Sequence, residues 1–164
     1  MNKKKEPKTR QIRKRKDVGI YMKNVLTRKV FLEFNILGNN IIENILQTLK
    51  TSYEGRCIKE GFIKFESIRV INYSSGVVRG NNVIFDVVFE CLICNPVEGM
   101  IFKCIVKNIT KAGVRAETKG EKSPVVVFVA RDHHYKNKDF SKLKEGDEIK
   151  IKVIGVRFEL NDEF

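Results

Sequence analysis

Two pairs of residues in this chain have the side-chain chemistry to hold a metal ion. The first pair, Cys91 and Cys94, has the two-residue spacing of half a zinc site. These cysteines close the run VIFDVVFECLIC, whose β-branched and aromatic content predicts a strand. Residues three apart in a strand point to opposite faces, so we expect the thiols to diverge and predict no metal or other cofactor. Cys57 and Cys104 keep a metal site open as an alternative.

The second pair, His133 and His134, follows Asp132 directly. Adjacent side chains diverge, so we interpret the pair as part of a polar turn after the strand VVVFVA. The sequence contains no GxxxxGK[ST] loop, no GxGxxG motif and no paired acidic motif of the nuclease type, and no constellation of a nucleophile with a base is visible. We therefore expect no enzyme, with a metal or nucleolytic enzyme built on these histidines and the cysteine pair as the alternative.

The stretch VKNITKAGVRAE, Val106 to Glu117, carries a different chemistry. Its alternating apolar and polar residues, interrupted at Lys111-Ala112-Gly113, predict two strands and a tight turn. Three of the polar residues, Lys107, Lys111 and Arg115, are basic. A basic surface built on strands fits contact with a passing phosphate backbone without reading of sequence.

Charge is unevenly distributed along the 164 residues, whose net charge is +12. Residues 1–17 contribute +7, residues 18–95 contribute +2 and residues 96–164 contribute +3. The first segment is nearly free of apolar residues, so it is predicted to be a disordered basic tail. We expect it to contact nucleic acid or to serve as a nuclear address, with a solvated tail that only aids solubility as the alternative. No apolar run is long enough to span a membrane.

Residues 18–95 predict a small α+β domain. A strand with Val30, Leu32 and Phe34 on one side precedes one clear helix, and several short strands follow. The helix begins after Asn39 or Asn40 and ends before Gly55. Its predicted apolar stripe consists of Ile41, Ile42, Ile45, Leu46 and Leu49.

Residues 96–164 predict a second, all-β domain, since Asn95-Pro96 interrupts the preceding strand. In GMIFKCIVKNI, Met100, Phe102, Cys104 and Val106 alternate with Ile101, Lys103, Ile105 and Lys107. The segment GDEIKIKVIGV shows the same alternation. Four strands in so short a segment, with glycines at the bends, predict a small closed barrel of the OB-fold type.

The order of these elements resembles the seventh subunit of eukaryotic RNA polymerase II and its counterpart in the archaeal RNA polymerase. The resemblance covers residues 18–164. It is carried by Pro96 and Gly99 at the junction, by the turn at Ala112-Gly113 and by the hairpin at Gly146-Asp147. The wording of SPVVVFVARDHH and GVRFELND is most similar to the versions in large nucleocytoplasmic DNA viruses.

The resemblance implies a non-catalytic stalk subunit with an RNP-like N-terminal (tip) domain and a C-terminal S1-type OB barrel. A tip loop would bind the clamp base of the polymerase core, and by position that loop falls at Gly61, Phe62 and Ile63, with Phe62 as an exposed anchor. A subunit-four-like protein would complete the stalk, and emerging single-stranded RNA would pass the barrel. The alternative for Phe62 is a core residue.

Basic and aromatic residues of the barrel are the candidate RNA contacts, because charge and stacking suffice for a single strand. They are Lys107, Lys111, Arg115, Arg131, Tyr135, Lys136, Arg157 and Phe158. Two features depart from RNA-binding S1 barrels. Val114 and Ala130 occupy places where those barrels tend to carry an aromatic residue and a histidine, and the closing strand would begin only where the chain reads NDEF.

A free-standing S1-type RNA-binding protein, such as a translation factor, is the alternative function. It would not require the N-terminal domain. A viral stalk subunit is expected in the virion and in the viral factory of the host cytoplasm, and the nucleus is the alternative location.

Overall fold

The structure is a computed structural model that describes residues 19–38, 40–119, 124–134, 136–157 and 159–161. The predicted basic tail and Asn39 lie outside these residues. The first sheet and its helix comprise β1 (Tyr21–Glu33), α1 (Ile41–Tyr53), β2 (Cys57–Ile58), β3 (Gly61–Ile63), β4 (Arg69–Tyr73), β5 (Val77–Arg79) and β6 (Asn82–Cys94). The second sheet comprises β7 (Ile101–Ile109), β8 (Gly113–Thr118), β9 (Val126–Ala130) and β10 (Glu148–Lys152).

Strand β6 organises the first sheet. It pairs antiparallel with β1 along the full length of both strands, from Tyr21 opposite Cys94 to Glu33 opposite Asn82. On its other side it pairs with β3, β4 and β5, and β2 extends the sheet beyond β3. The strand is rich in valine, isoleucine and phenylalanine, which suit a pleated surface that packs on both sides.

One face of this sheet and α1 enclose the main core. Val30 and Leu32 of β1 are buried there with Phe89 of β6, and α1 contributes the fully buried Ile45 and Leu49. The predicted stripe of the helix is thus confirmed at its centre.

Two residues predicted for this core lie outside it. Ile42 is exposed because α1 turns about 100° per residue, which places it at the margin of the stripe. Phe34 is exposed because β1 ends at Glu33 and the chain enters a short 3-10 helix, Phe34–Ile36, where the strand alternation no longer applies.

Both predicted ends of α1 are found. Asn40 is the N-cap residue, although its side chain donates to the Glu43 carboxylate (2.9 Å) instead of capping a backbone amide. Gly55 follows the helix with φ +74°, and a side chain there would collide with the Phe65 ring. Glycine is therefore required both by the backbone angle and by the available space.

The second sheet is antiparallel with strand order β10-β7-β8-β9. Phe102, Cys104 and Val106 of β7 are buried on one face, as their alternation predicts. Antiparallel strands therefore dominate the described residues, and α1 is their one α-helix. The assignments of an RNP-like domain and an S1-type barrel stay predictions.

The thiols of Cys91 and Cys94 diverge as predicted. Cys91 faces the core under α1, whereas Cys94 packs with Cys57 and Phe62 in a separate cluster. Burial raises the pKa of Cys91 to about 11 and that of Cys94 to about 12, so both thiols are protonated at neutral pH. In the described part of the chain, no three His, Cys, Asp or Glu side chains are grouped as metal ligands.

Among the described residues, no helix is both long and apolar enough to cross a membrane.

The packing of α1 leads to a paired test. Leu49→Ala should lower the free energy of unfolding by about 2–5 kcal/mol, because it leaves a cavity in the core that α1 shares with the first sheet. Ile42→Ala, on the exposed side of the same helix, should change it by less than about 0.5 kcal/mol. Urea denaturation followed by circular dichroism measures both, and equal losses would show that α1 packs through a different face.

Candidate nucleic-acid interface

The predicted hairpin is formed by β7 and β8. Thr110 closes the turn, because its backbone N–H donates to the Gly113 carbonyl (2.8 Å) and its hydroxyl contacts the same carbonyl (3.0 Å). A side chain at Gly113 would collide with the Val129 carbonyl oxygen of β9. Glycine at this position thus allows β9 to approach β8 closely.

The outward face of β8 and β9 carries an arginine beside an exposed aromatic ring. Arg115 lies directly opposite Phe128 in the register of these strands. Phe128 is 60% exposed, whereas Val114 and Ala116, on the other face of β8, are completely buried. The pair thus offers a cation and a stacking surface side by side.

Phe128 is a candidate site residue that the sequence patterns do not reveal. VVVFVA is a uniformly apolar strand, so nothing in it marks which residues face outward. The signal lies in the pairing with β8, since the register places Phe128 beside the basic position of GVRAE. Val114, at the place where S1 barrels tend to carry an aromatic residue, points inward.

Ion pairing leaves Arg115 available to a ligand. Its guanidinium lies 3.5 Å from the Glu117 carboxylate, and its side chain is about half exposed. Exposed pairs of this kind contribute little free energy, so exchange of the carboxylate for a phosphate is not costly. Lys107 lies near this position as the extra residue of a β-bulge between Val106 and Asn108, and it is exposed.

Arg131 has a structural role that its sequence position does not reveal. Its Nε donates to the Lys111 carbonyl (2.9 Å) and its Nη2 to the Thr110 carbonyl (3.1 Å). The guanidinium also lies over the Phe140 ring, 5.6 Å from its centre. Arg131 therefore ties the 3-10 helix Arg131–His133 to the β7–β8 turn, and its contact with RNA stays a prediction.

The remaining candidates do not all lie together. Lys111 is exposed at the hairpin turn beside Arg131, and Lys136 is exposed shortly after the 3-10 helix. Arg157 lies beyond β10, 3.3 Å from Glu159, and lines the same groove as Phe128. Tyr135 and Phe158 lie outside the described residues.

The two histidines occupy the predicted polar turn. His133 ends the 3-10 helix, and His134 follows it. The His134 ring stacks on Phe140 with 5.4 Å between ring centres.

The expectation that Phe62 is an exposed anchor is wrong. Gly61, Phe62 and Ile63 form β3, which is paired on both sides by β2 and β6. Phe62 is only 6% exposed, and Ile63 is completely buried. These side chains therefore pack in the core, and a contact between this segment and a polymerase stays untested.

Comparison with known proteins connects the chain to transcription. No protein-family profile matches the chain. The chain is similar to a protein of Acanthamoeba polyphaga mimivirus that carries the provisional name DNA-directed RNA polymerase subunit. The two are 26% identical over 161 aligned positions, which cover 88% of this chain and 78% of the viral protein.

The contacts of Arg131 predict an effect on stability. Arg131→Ala should lower the free energy of unfolding by about 1 kcal/mol, because the turn carbonyls lose their donors. Arg131→Lys should not restore the loss, since an ammonium group does not reproduce the planar fork of a guanidinium.

Urea denaturation measures the effect of these substitutions, and Lys111→Ala is the matched control. It removes a charge at the same turn but keeps the carbonyl that Arg131 contacts. We expect a change of less than about 0.5 kcal/mol. Equal effects of Lys111→Ala and Arg131→Ala would contradict the structural role of Arg131.

Proposed function

We propose that the chain is a non-catalytic stalk subunit of a DNA-directed RNA polymerase. The observation that carries the proposal is the similarity to the mimivirus polymerase subunit, which extends over 88% of the chain. The family motifs of the sequence, from Pro96 to Asp147, agree with it. The described residues offer no rival site, since the cysteines are buried and the histidines belong to a turn.

The arrangement of the sheets supports two domains, 18–95 and 96–164. The first sheet ends at Cys94 and the second begins at Ile101, on either side of Pro96. We assign the first to a truncated RNP-like module. We assign the second to an S1-type OB barrel, since its strand order is that of such a barrel without its closing strand.

The second domain is the proposed RNA-contacting part. Arg115 and Phe128 would hold one nucleotide by charge and stacking, and Lys107 and Lys111 would follow the backbone toward the turn. Binding of this kind is weak and sequence-tolerant, as is appropriate for a transcript that must keep moving. The tail 1–17 can add electrostatic affinity.

Attachment to the polymerase core requires a surface other than Phe62. Phe31 and Val77 flank Ile84 on the outward face of the first sheet, and both are exposed. Further exposed apolar residues lie at the same end of the sheet, where the Phe34 N–H contacts the Asn81 carbonyl. We call this surface the apolar end; it consists of Phe31, Phe34, Ile36 and Val77. Val78 is also exposed there, but it pairs with the buried Val83 and therefore lies on the other face of the sheet.

Contiguous apolar patches on the surface of a protein are typical of sites that bind another protein. We propose that the apolar end binds the clamp base of the core enzyme and that a subunit-four-like protein completes the stalk. For a viral subunit the place of action would be the virion and the viral factory in the host cytoplasm, or the nucleus. A free-standing translation factor would leave the apolar end without a partner.

The RNA contact is tested in a chain that begins at Val18, so that the tail contributes nothing. Arg115→Ala should reduce the slope of log affinity against log salt by about 0.7, which is one phosphate contact on a single strand. Phe128→Ala should cost about 1–3 kcal/mol of binding free energy with little change in slope. Fluorescence anisotropy with a labelled single-stranded RNA measures both.

Phe31→Ala is the control in that titration, because its ring is exposed on the other sheet. It should leave RNA affinity unchanged. If the chain beginning at Val18 has no affinity for RNA while the full chain does, the tail is the RNA contact and the assignment of Arg115 and Phe128 is wrong.

The polymerase contact is tested by affinity recovery from extracts of infected cells. The full chain should recover the large polymerase subunits. Phe31→Ala combined with Val77→Ala should weaken that recovery by about 2 kcal/mol or more if these residues are anchors.

Phe128→Ala serves here as the control and should recover the polymerase like the unchanged chain. Undiminished recovery by the Phe31 and Val77 double variant would place the anchor elsewhere. Failure of the unchanged chain to recover any polymerase subunit would count against the proposed function itself.

A further inference from the structure

The second sheet has two open edges that face a common groove. β9 pairs with β8 and β10 pairs with β7, and in the described part of the chain neither pairs with a further strand. The open edge of a strand presents backbone N–H and C=O groups that can pair with another strand. A groove of about 310 Å³ is lined by β9 on one side and by β10 with the residues after it on the other.

The floor of this groove is apolar. Phe102 of β7 and Phe62 of β3 line it, together with Val153. Its volume corresponds to about ten water molecules. We call the groove with its two strand edges the seam.

The segment after β10 has the pattern of a strand without being one. Val153 still exchanges hydrogen bonds with Gly99 and Met100 (2.8 and 2.9 Å), after which the chain leaves the sheet. Ile154, Val156 and Leu160 are exposed at even positions, and Ile154 reaches 71%. Gly155, Arg157 and Glu159 alternate with them, which is the period of a strand with one buried face.

This segment is held at both ends. Val153 fixes its start, and the Asn161 N–H donates to the Cys57 carbonyl (2.8 Å) at the edge of the first sheet. Between these two anchor points Ile154, Val156 and Leu160 are exposed. A fixed, uncovered apolar row beside an open strand edge is suited to receive an extended segment.

The charged side chains along the seam indicate which side chains the added segment carries. Lys152 and Arg157 line the groove, and of these two Arg157 alone has a carboxylate partner among the described residues. The neighbouring Glu148 is already paired with Lys103 at 2.7 Å. The tail 1–17 carries the same sign of charge as Lys152 and Arg157 and lacks alternating apolar residues, so it does not fit the seam.

We propose that the seam receives one extended segment of a partner protein, apolar at alternate positions and acidic between them. The segment adds as a strand to the open edge of β9, where backbone hydrogen bonds hold it. Its apolar side chains cover Ile154 and Val156, and its carboxylates lie near Lys152 and Arg157. This inference does not depend on the polymerase assignment.

The test attaches the occupant to the full chain. A segment that alternates valine and glutamate is fused behind Phe164 through a Gly/Ser linker, which gives it a millimolar effective concentration. Amide hydrogen exchange of Val126–Ala130 should slow by at least about tenfold, because open-edge amides gain partners.

Two altered fusions and one variant of the chain serve as controls. Proline in place of alternate valines should abolish the protection, since a prolyl nitrogen has no proton to donate. Lysine in place of glutamate should reduce it, and so should the double variant Ile154→Asp with Val156→Asp carrying the original fusion.

The proposal is overturned if the valine–glutamate fusion leaves exchange in β9 unchanged, or if the proline fusion protects equally. Protection of β9 in the unfused chain that rises with its concentration, together with dimers in sedimentation, would make a second copy the occupant and also overturn it.

Discussion

The pairing of β6 with β1 is the interaction on which the rest of the chain depends. Both strands contribute thirteen residues. β6 pairs with all the remaining strands of the first sheet except β2. The alternation of β6 decides which side faces α1, so a slip of one residue would expose Phe85, Val87 and Phe89 together. β6 ends at Cys94, and from this end of the strand the chain continues into the second sheet.

The candidate RNA surface depends on a smaller set of contacts. Gly113 allows β9 to lie against β8, which places Phe128 beside Arg115. Arg131 then joins the turn of the hairpin to the chain that leaves β9. Gly113 and Arg131 thus position the residues that would contact RNA, and neither needs to touch the RNA itself.

The sequence is most informative where local patterns decide the outcome. The alternation in β1 and β7, the end of α1 at Gly55 and the divergence of Cys91 and Cys94 follow from strand and helix periodicity, and the structure confirms them. The expected exposure of Phe62 is wrong, and nothing in the apolar run VVVFVA predicts that Phe128 is exposed. Their exposure is decided by which strands pair beside them, and short-range patterns do not contain that information.

The length of β6 gives the proposed function a geometric basis. The apolar end lies at the start of the strand near Asn82, and the seam begins at its other end near Cys94. A strand rises about 3.3 Å per residue, so these two surfaces are held about 40 Å apart by continuous backbone pairing. Such a spacer can bind a large assembly through one end and present a second sheet at a fixed distance from it. The paired strands therefore set the distance between the apolar end and the seam, and residues 95–100 join that end of β6 to the second sheet.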